Sequence, residues 1–170
     1  MKHKTSIFFI TGTSGSGKST LMHYLKMSLS NNYYMVYDFD EYGVPPNADA
    51  QWRQEATKYW LIKASENSKL HKSTIICGVS VPSEVLNSTV KIDIPIYFGL
   101  LKVSDDIIQQ RLQERGWTDA LIKDNINWAH YLECAVKQTN EYLIVDSSCG
   151  MLPEHIADVF IKWIIFHEKS

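Results

Sequence analysis

Eight consecutive residues constrain this chain more than any other feature of its sequence. Residues 12–19 read Gly-Thr-Ser-Gly-Ser-Gly-Lys-Ser, which satisfies the pattern GxxxxGK[ST] in full. A short apolar run at Ser6–Ile10 precedes the motif and predicts a strand that is buried on both faces. Leucines spaced four residues apart predict an amphipathic helix over Ser19–Leu29. The motif therefore lies between a strand and a helix, where a glycine-rich loop can wrap an anion.

Each residue type in the motif has a physical role. Glycines have no Cβ atom, so the backbone can surround a phosphate with inward-pointing N–H groups, and the next helix adds its positive dipole end. Lys18 supplies a mobile charge for the β- and γ-phosphates of a nucleotide, and Ser19 supplies a hydroxyl ligand for Mg²⁺. The sequence thus predicts a site for ATP and Mg²⁺ at Gly12, Thr13, Ser14, Gly15, Ser16, Gly17, Lys18, Ser19 and Thr20.

The composition indicates one globular domain over residues 1–170. Hydrophobic residues make up 45% and charged residues 21% of the chain, which excludes a disordered protein. The net charge of −2 lacks the basic excess typical of proteins that bind nucleic-acid polymers. Its apolar runs are shorter than the roughly 20 residues that cross a membrane. Three widely spaced cysteines form no disulfide framework, so we expect a cytoplasmic protein without a membrane or nucleic-acid partner.

Strand and helix patterns alternate along the rest of the chain. Apolar, aromatic and β-branched runs predict four further strands, at Tyr33–Asp38, Thr74–Val79, Pro95–Leu101 and Tyr142–Val145. Helical patterns lie at about 48–70, 105–115, 118–139 and 153–167. Such alternation builds a parallel sheet with helices on both faces. The sequence therefore predicts an α/β fold around a five-stranded parallel sheet.

In its order of elements, the whole chain resembles the small P-loop kinases, which include shikimate, gluconate, nucleoside and nucleotide kinases. The loop at residues 12–19 is the one specific motif in this resemblance. The resemblance implies the three-layer α/β/α fold of P-loop NTPases and ATP with Mg²⁺ as the phosphate donor. It also implies an acceptor-binding region at about 41–70 and a mobile lid at about 111–127.

Two carboxylates follow the second predicted strand, in Asp38-Phe39-Asp40-Glu41. If the strand continues that far, Asp38 and Asp40 lie on one face, at the sheet edge where open α/β sheets bind ligands. The pair looks like the Asp-x-Asp of shikimate-type kinases, which implies that Asp38 assists the metal and Asp40 orients or deprotonates the acceptor, although these roles could be exchanged. A base helps a hydroxyl nucleophile and not a phosphate acceptor, so the pair favours an alcohol. The alternative is an acidic turn that caps the next element.

Motifs of other P-loop classes are missing from the sequence. The third predicted strand ends in Cys77-Gly78-Val79-Ser80, where a Walker B motif would place an aspartate. Its absence argues against motor-type and chaperone-type ATPases. The sequence also contains no Asn-Lys-x-Asp guanine motif, which argues against a GTPase.

The resemblance gives roles to three arginines and one further aspartate. Arg111 and Arg115 lie four residues apart and so share a helix face. As lid arginines, Arg111 would stack on the nucleotide base and Arg115 would contact the transferring phosphates. Arg53 is a candidate contact for the acceptor, and Asp146 lies in the turn expected beside the adenine. The alternatives are salt-bridged or exposed surface arginines and an ordinary turn. By its helical spacing, Cys134 is expected in the core.

These observations predict an ATP-dependent kinase that transfers the γ-phosphoryl group to a hydroxyl of a small-molecule acceptor. Lys18, Asp40 and Arg115 are its predicted catalytic residues, and Asp40 and Arg53 its predicted acceptor contacts. Two alternatives stay open. One is a nucleoside monophosphate kinase, and the other is a regulatory module that binds ATP and hydrolyses it slowly, if at all. The aspartate pair and the lid arginines favour an enzyme over such a module.

Overall fold

The structure is a computed structural model that describes residues 4–169. Its strands are β1 Ile7–Thr11, β2 Tyr34–Asp38, β3 Ser73–Gly78, β4 Ile96–Lys102 and β5 Tyr142–Asp146. Its helices are α1 Lys18–Ser28, α2 Ala50–Lys69, α3 Pro82–Leu86, α4 Asp105–Glu114, α5 Asp119–Lys137 and α6 Pro153–Lys169, with a 3₁₀ turn at Phe39–Tyr42. The strands form one parallel sheet in the order β2-β3-β1-β4-β5, which confirms the predicted α/β class and strand number.

The central strand β1 places the predicted phosphate loop at the middle of the sheet. It pairs with β3 on one side and β4 on the other, and all five of its residues are buried. That burial explains why its sequence is continuously apolar rather than alternating. The chain crosses from one half of the sheet to the other around β1, and ligands of open α/β sheets bind at such a crossing point, beyond the carboxyl ends of the strands.

Alternate side chains of β1 enter two separate cores. Ile7 and Phe9 pack beneath α2 and α5, whereas Phe8 and Ile10 pack beneath α1 and α6. Complete burial of one such side chain stabilises the fold by about 1.5–3 kcal/mol. A third, smaller core joins α4 to α5. These packed layers confirm the predicted arrangement of helices on both faces of the sheet.

The segment after β2 differs from the sequence expectation. The strand ends at Asp38 and a 3₁₀ turn follows, so a continuing strand does not place the two aspartates on one face. Instead, the Asp38 carboxylate accepts a hydrogen bond from the Asp40 N–H at 3.0 Å, and the Glu41 carboxylate accepts one from the Asp38 N–H at 3.3 Å. Asp38 therefore caps the turn, as the alternative interpretation of the acidic segment proposed, while the turn itself carries Asp40.

Gly78, the last residue of β3, allows the 3₁₀ turn at Phe39–Tyr42 to pack closely against this strand. A Cβ atom at Gly78 would lie 2.2 Å from the Cβ of Phe39 and 3.3 Å from its Cα. Real Cβ atoms do not approach so closely, and Phe39 is fully buried with no room to retreat. The missing side chain at residue 78 thus allows the turn that bears Asp40 to lie against the end of β3.

Two other details depart from the sequence patterns. The short helix α3, with Pro82 in its first turn, is absent from the prediction because five residues are too few to show a helical period. Cys134 is exposed on α5, so its predicted place in the core is wrong. Within residues 4–169, the helices are all too short or too polar to cross a bilayer.

We expect Gly78→Ala to lower the free energy of unfolding by about 1–3 kcal/mol, because overpacking must displace Phe39 and the turn behind it. Gly99→Ala is the matched control in β4, since the three atoms nearest to its Cβ would all belong to side chains, at 2.9 Å in Phe160, 3.4 Å in Trp163 and 3.5 Å in Ile10. A ring can yield more cheaply than a Cβ atom. We therefore expect Gly99→Ala to lose less unfolding free energy than Gly78→Ala, which urea unfolding of both variants measures. An equal or larger loss in Gly99→Ala would contradict this expectation.

Candidate active site

The loop between β1 and α1 depends on its glycines for two different reasons. Gly15 and Gly17 have φ values of 83° and 100°, in the left-handed region that favours glycine. Gly12 is needed for space, since a Cβ atom there would lie 2.8 Å from Ser16 Oγ and 2.9 Å from the carbonyl oxygen of Leu101. The loop therefore curls tightly against the end of β4 and returns into α1.

The first turn of α1 has no side chain that caps it. Its N-cap, Gly17, provides no side-chain hydrogen bond, and the first turn contains no acidic residue. By contrast, Asp49, Ser104 and Thr118 cap α2, α4 and α5 through their side chains. The buried Ser16 hydroxyl also has no hydrogen-bond partner among residues 4–169. Free N–H groups and an unpartnered hydroxyl fit the oxygen atoms of a polyphosphate.

Lys18 is held over this loop in an unfavourable environment. Its Nζ donates a hydrogen bond to the carbonyl oxygen of Thr13 at 2.7 Å. Burial lowers the pKa of Lys18 from 10.5 to about 8 and outweighs the opposing effect of Asp40 and Asp38, while the nearby Arg115 adds to the lowering. The two carboxylates therefore do not fully compensate the burial of the ammonium group, and a bound triphosphate would add the negative charge that stabilises it.

One cleft of about 250 Å³ brings together most of the predicted site. Its lining residues include Thr13, Ser14, Gly15, Gly17, Lys18, Ser19, Thr20, Asp38, Asp40 and Arg115. The sequence analysis did not assign Met22, Cys77, Gly78 and Val79 to the site, yet they line the same cleft. The last three lie where β3 ends, so their position relative to the loop depends on the pairing of β3 with β1.

Asp40 lies in an environment that disfavours its negative charge. Loss of solvent raises the pKa of its carboxyl group above the ordinary value, and the charge of Asp38 raises it further, against the opposing effect of Lys18. A raised carboxyl pKa moves the group toward the range in which a general base works near neutral pH. In the same cleft, burial raises the pKa of the Cys77 thiol to about 12, so this cysteine is no nucleophile at neutral pH.

A second cavity, of about 650 Å³, adjoins the cleft and extends toward α6. Arg115, two loop glycines and Thr20 of α1 line both spaces, so a ligand can continue from one into the other. Arg111, Leu101, Met151 and Leu152 line the second cavity and not the cleft. Apolar side chains beside a planar guanidinium fit a flat aromatic base. Arg111 also donates a hydrogen bond to the carbonyl oxygen of Gly15 at 2.7 Å.

Asp146 and Arg53 lie away from the cleft lining. Asp146 faces a third cavity, of about 330 Å³, and accepts a hydrogen bond from the Ser148 N–H at 2.9 Å; its neighbour Ser147 lines the cavity beside Arg111. Arg53 donates two hydrogen bonds of 2.7 Å to Glu84. Its guanidinium also lies 5.1 Å from the ring centre of Trp128. The expected roles of Asp146 beside the adenine and of Arg53 at the acceptor stay predictions, and Arg53 is already paired with Glu84.

The sequence matches the family model described as "AAA domain" over residues 8–147. Because the match covers most of the chain, including the phosphate loop, the protein belongs to that family. No curated protein matches the sequence. The expectation that the chain is not a motor-type or chaperone-type ATPase rests on the missing aspartate after β3 and stays a prediction.

Solved structures of kinases share the fold. A sugar kinase from Janibacter sp. HTCC2649 superposes with a TM-score of 0.68 at 16% identity, over 94% of both chains. A shikimate kinase from Acinetobacter baumannii, in complex with shikimate, gives 0.65 at 10% identity over 99% of this chain and 97% of the other. The thymidylate kinase of Candida albicans gives 0.62 at 13% identity over 98% and 94%. The predicted three-layer fold of the small P-loop kinases is therefore confirmed.

The lowered pKa of Lys18 predicts a pH-dependent effect of removing its charge. The folded pKa of about 8 lies below the ordinary 10.5, so the charged lysine costs folding free energy below pH 8. This cost disappears as the pH rises from 8 toward 10.5. We expect Lys18→Met to gain at most about 3 kcal/mol relative to the wild type at pH 7 and to lose most of that gain by pH 10. Urea unfolding at both pH values checks this. A difference in unfolding free energy between Lys18→Met and the wild type that is the same at both pH values would contradict it.

Proposed function

We propose that this protein is an ATP-dependent phosphotransferase that transfers the γ-phosphoryl group to a hydroxyl of a small molecule. The observation that carries the proposal is the convergence of Lys18, Ser19, Asp38, Asp40 and Arg115 on one cleft at an open helix N-terminus. The shared fold of sugar, shikimate and thymidylate kinases supports phosphotransfer in general. The choice of acceptor rests on the residues of the cleft.

The donor set of the loop fits ATP with Mg²⁺. Residues 12–20 would hold the phosphates through backbone N–H groups, the free Ser16 hydroxyl and the Lys18 ammonium group. Ser19 and Asp38 would hold the metal, since both present hard oxygen atoms to the cleft. When bound, Mg²⁺ neutralises charge on the phosphate oxygens. The second cavity, which Arg111 lines, would receive the nucleotide base.

The protein's own groups can then perform the two tasks that the reaction requires. Asp40 would orient the acceptor hydroxyl and take up its proton, for which its raised pKa is suited. Lys18 and Arg115 would oppose the negative charge that spreads over the transferring group. Because burial and loop contacts fix Lys18 beforehand, little reorganisation is needed during the transfer.

The charges of the cleft favour a neutral hydroxyl compound over a nucleotide as the acceptor. Lys18 and Arg115 are the cations among its lining residues, and the donor phosphates require both. The other charged groups there are the carboxylates of Asp38 and Asp40, which would repel a phosphate or carboxylate group. Arg53 could offset this repulsion only by giving up its two hydrogen bonds to Glu84.

A screen of ADP release tests the proposal directly. We expect ADP release from ATP and Mg²⁺ to rise with one class among sugars, nucleosides and other uncharged alcohols, and to fall at least about 100-fold in Lys18→Ala, which removes a charge from the transition state. Stimulation by nucleoside monophosphates alone would instead identify a nucleotide kinase. ATP binding without stimulation by any acceptor would identify a regulatory module.

Asp40→Asn separates phosphate transfer from nucleotide binding. The amide keeps the shape of the side chain and cannot accept the acceptor's proton, so we expect kcat to fall about 10²- to 10⁴-fold. The Kd for ATP should change less than about threefold, and the thermal midpoint should not fall, because the charged carboxylate is disfavoured in the folded protein. Calorimetry, steady-state kinetics and thermal unfolding measure the three quantities.

Glu66→Gln is the control for Asp40→Asn, since it removes the same charge from an exposed position on α2. It should leave both kcat and ATP affinity unchanged. An equal loss of ATP affinity and kcat in Asp40→Asn would show that Asp40 serves binding rather than transfer.

A further inference from the structure

Three consecutive carbonyl groups of the phosphate loop are tied by donors from three different helices. Lys18 of α1 donates to Thr13, Arg111 of α4 donates to Gly15, and Asn125 of α5 donates to Ser14. The distances are 2.7 Å for Lys18 Nζ to Thr13 O, 2.7 Å for Arg111 to Gly15 O and 3.1 Å for Asn125 Nδ2 to Ser14 O. The proposed function gives Lys18 and Arg111 further roles at the nucleotide, but nothing in it requires Asn125.

The bond from Asn125 fixes the orientation of one peptide group. In a planar trans peptide the C=O and the following N–H point in opposite directions. When the Ser14 carbonyl faces Asn125, the N–H of Gly15 must therefore face away from α5. Gly15 lines the cleft and Asn125 does not, and no group within residues 4–169 accepts a hydrogen bond from this N–H. The N–H is thus available to a ligand.

A flipped peptide would reverse this arrangement. It would turn the Ser14 carbonyl toward the anion and remove the Gly15 N–H from it. Glycine allows such a flip readily, since its backbone has the widest range of conformations. A loop with glycine at residue 15 therefore needs an external donor to keep one peptide orientation.

We propose that Asn125 is a positioning residue for phosphate binding, which holds the Ser14 carbonyl outward so that the Gly15 N–H stays directed at the bound polyphosphate. This inference rests on the proposed function for the identity of the ligand. It also gives the predicted lid segment a second task, because Asn125 links α5 to the loop independently of any arginine.

The position of α5 itself does not depend on this bond. Ile122 of α5 packs in the small core with Ile108 and Leu112 of α4, and Leu132 and Val136 pack in the core beneath α2. Loss of the Asn125 amide should therefore leave the fold intact. The effect should fall on the loop and on the ligand that the loop holds.

The test compares ligands with and without phosphates. In Asn125→Ala, we expect the Kd for ATP and for ADP to rise about three- to tenfold, the value of one hydrogen bond to a carbonyl group that must stay oriented. Adenosine affinity, measured by competition, should be unchanged, since adenosine has no phosphate. Asn125→Asp should weaken ATP binding further than Asn125→Ala, because it places a second hydrogen-bond acceptor opposite the Ser14 carbonyl. Asn127→Ala is the matched control on the exposed side of the same helix.

Two results would overturn the inference. One is an unchanged ATP affinity in Asn125→Ala. The other is an equal loss for ATP and adenosine accompanied by a lower thermal midpoint, which would indicate a merely structural bond. Failure of the wild type to bind ATP would instead overturn the proposed function, so the two failures are distinguishable.

Discussion

A loop that surrounds an anion with N–H groups must turn its carbonyl groups outward, and this constraint organises the middle of the molecule. Each outward carbonyl needs a donor, because an unpaired polar group in a partly buried position costs about 1–3 kcal/mol. Here the donors come from α1, α4 and α5. The carbonyl group of Leu101 in β4 packs closely against Gly12. Of these elements, α4, α5 and β4 are distant from the loop in sequence, so the shape of the loop depends on the whole fold and not on its eight residues alone.

The electrostatics of the cleft follow from the same arrangement. Lys18 has a lowered pKa and Asp40 has a raised one, although each stabilises the charge of the other. Burial is the dominant cause for both groups, so the site keeps charges in an environment that disfavours them. Keeping these groups charged costs stability, and in the proposed function polyphosphate, metal and acceptor hydroxyl would offset that cost.

The fold and the phosphate loop could be predicted from the sequence because their signals are local. Buried strands and amphipathic helices have characteristic periods, and the glycine positions report backbone conformation directly. Contacts between distant residues left no such signal. The turn that carries Asp40 depends on the close approach of Gly78 to Phe39, Arg53 is paired by Glu84 on another helix, and Asn125 meets the loop only in the folded chain.

The three cysteines differ in a way that has a practical consequence. Cys77 lies in the cleft with a pKa of about 12, whereas Cys134 and Cys149 are exposed. Thiol-reactive dyes will therefore attach outside the cleft at neutral pH without any engineering of the chain. Cys149 precedes the segment that lines the second cavity, so a fluorophore there can report changes at this cavity, and a second one on α5 provides the other end of a distance measurement.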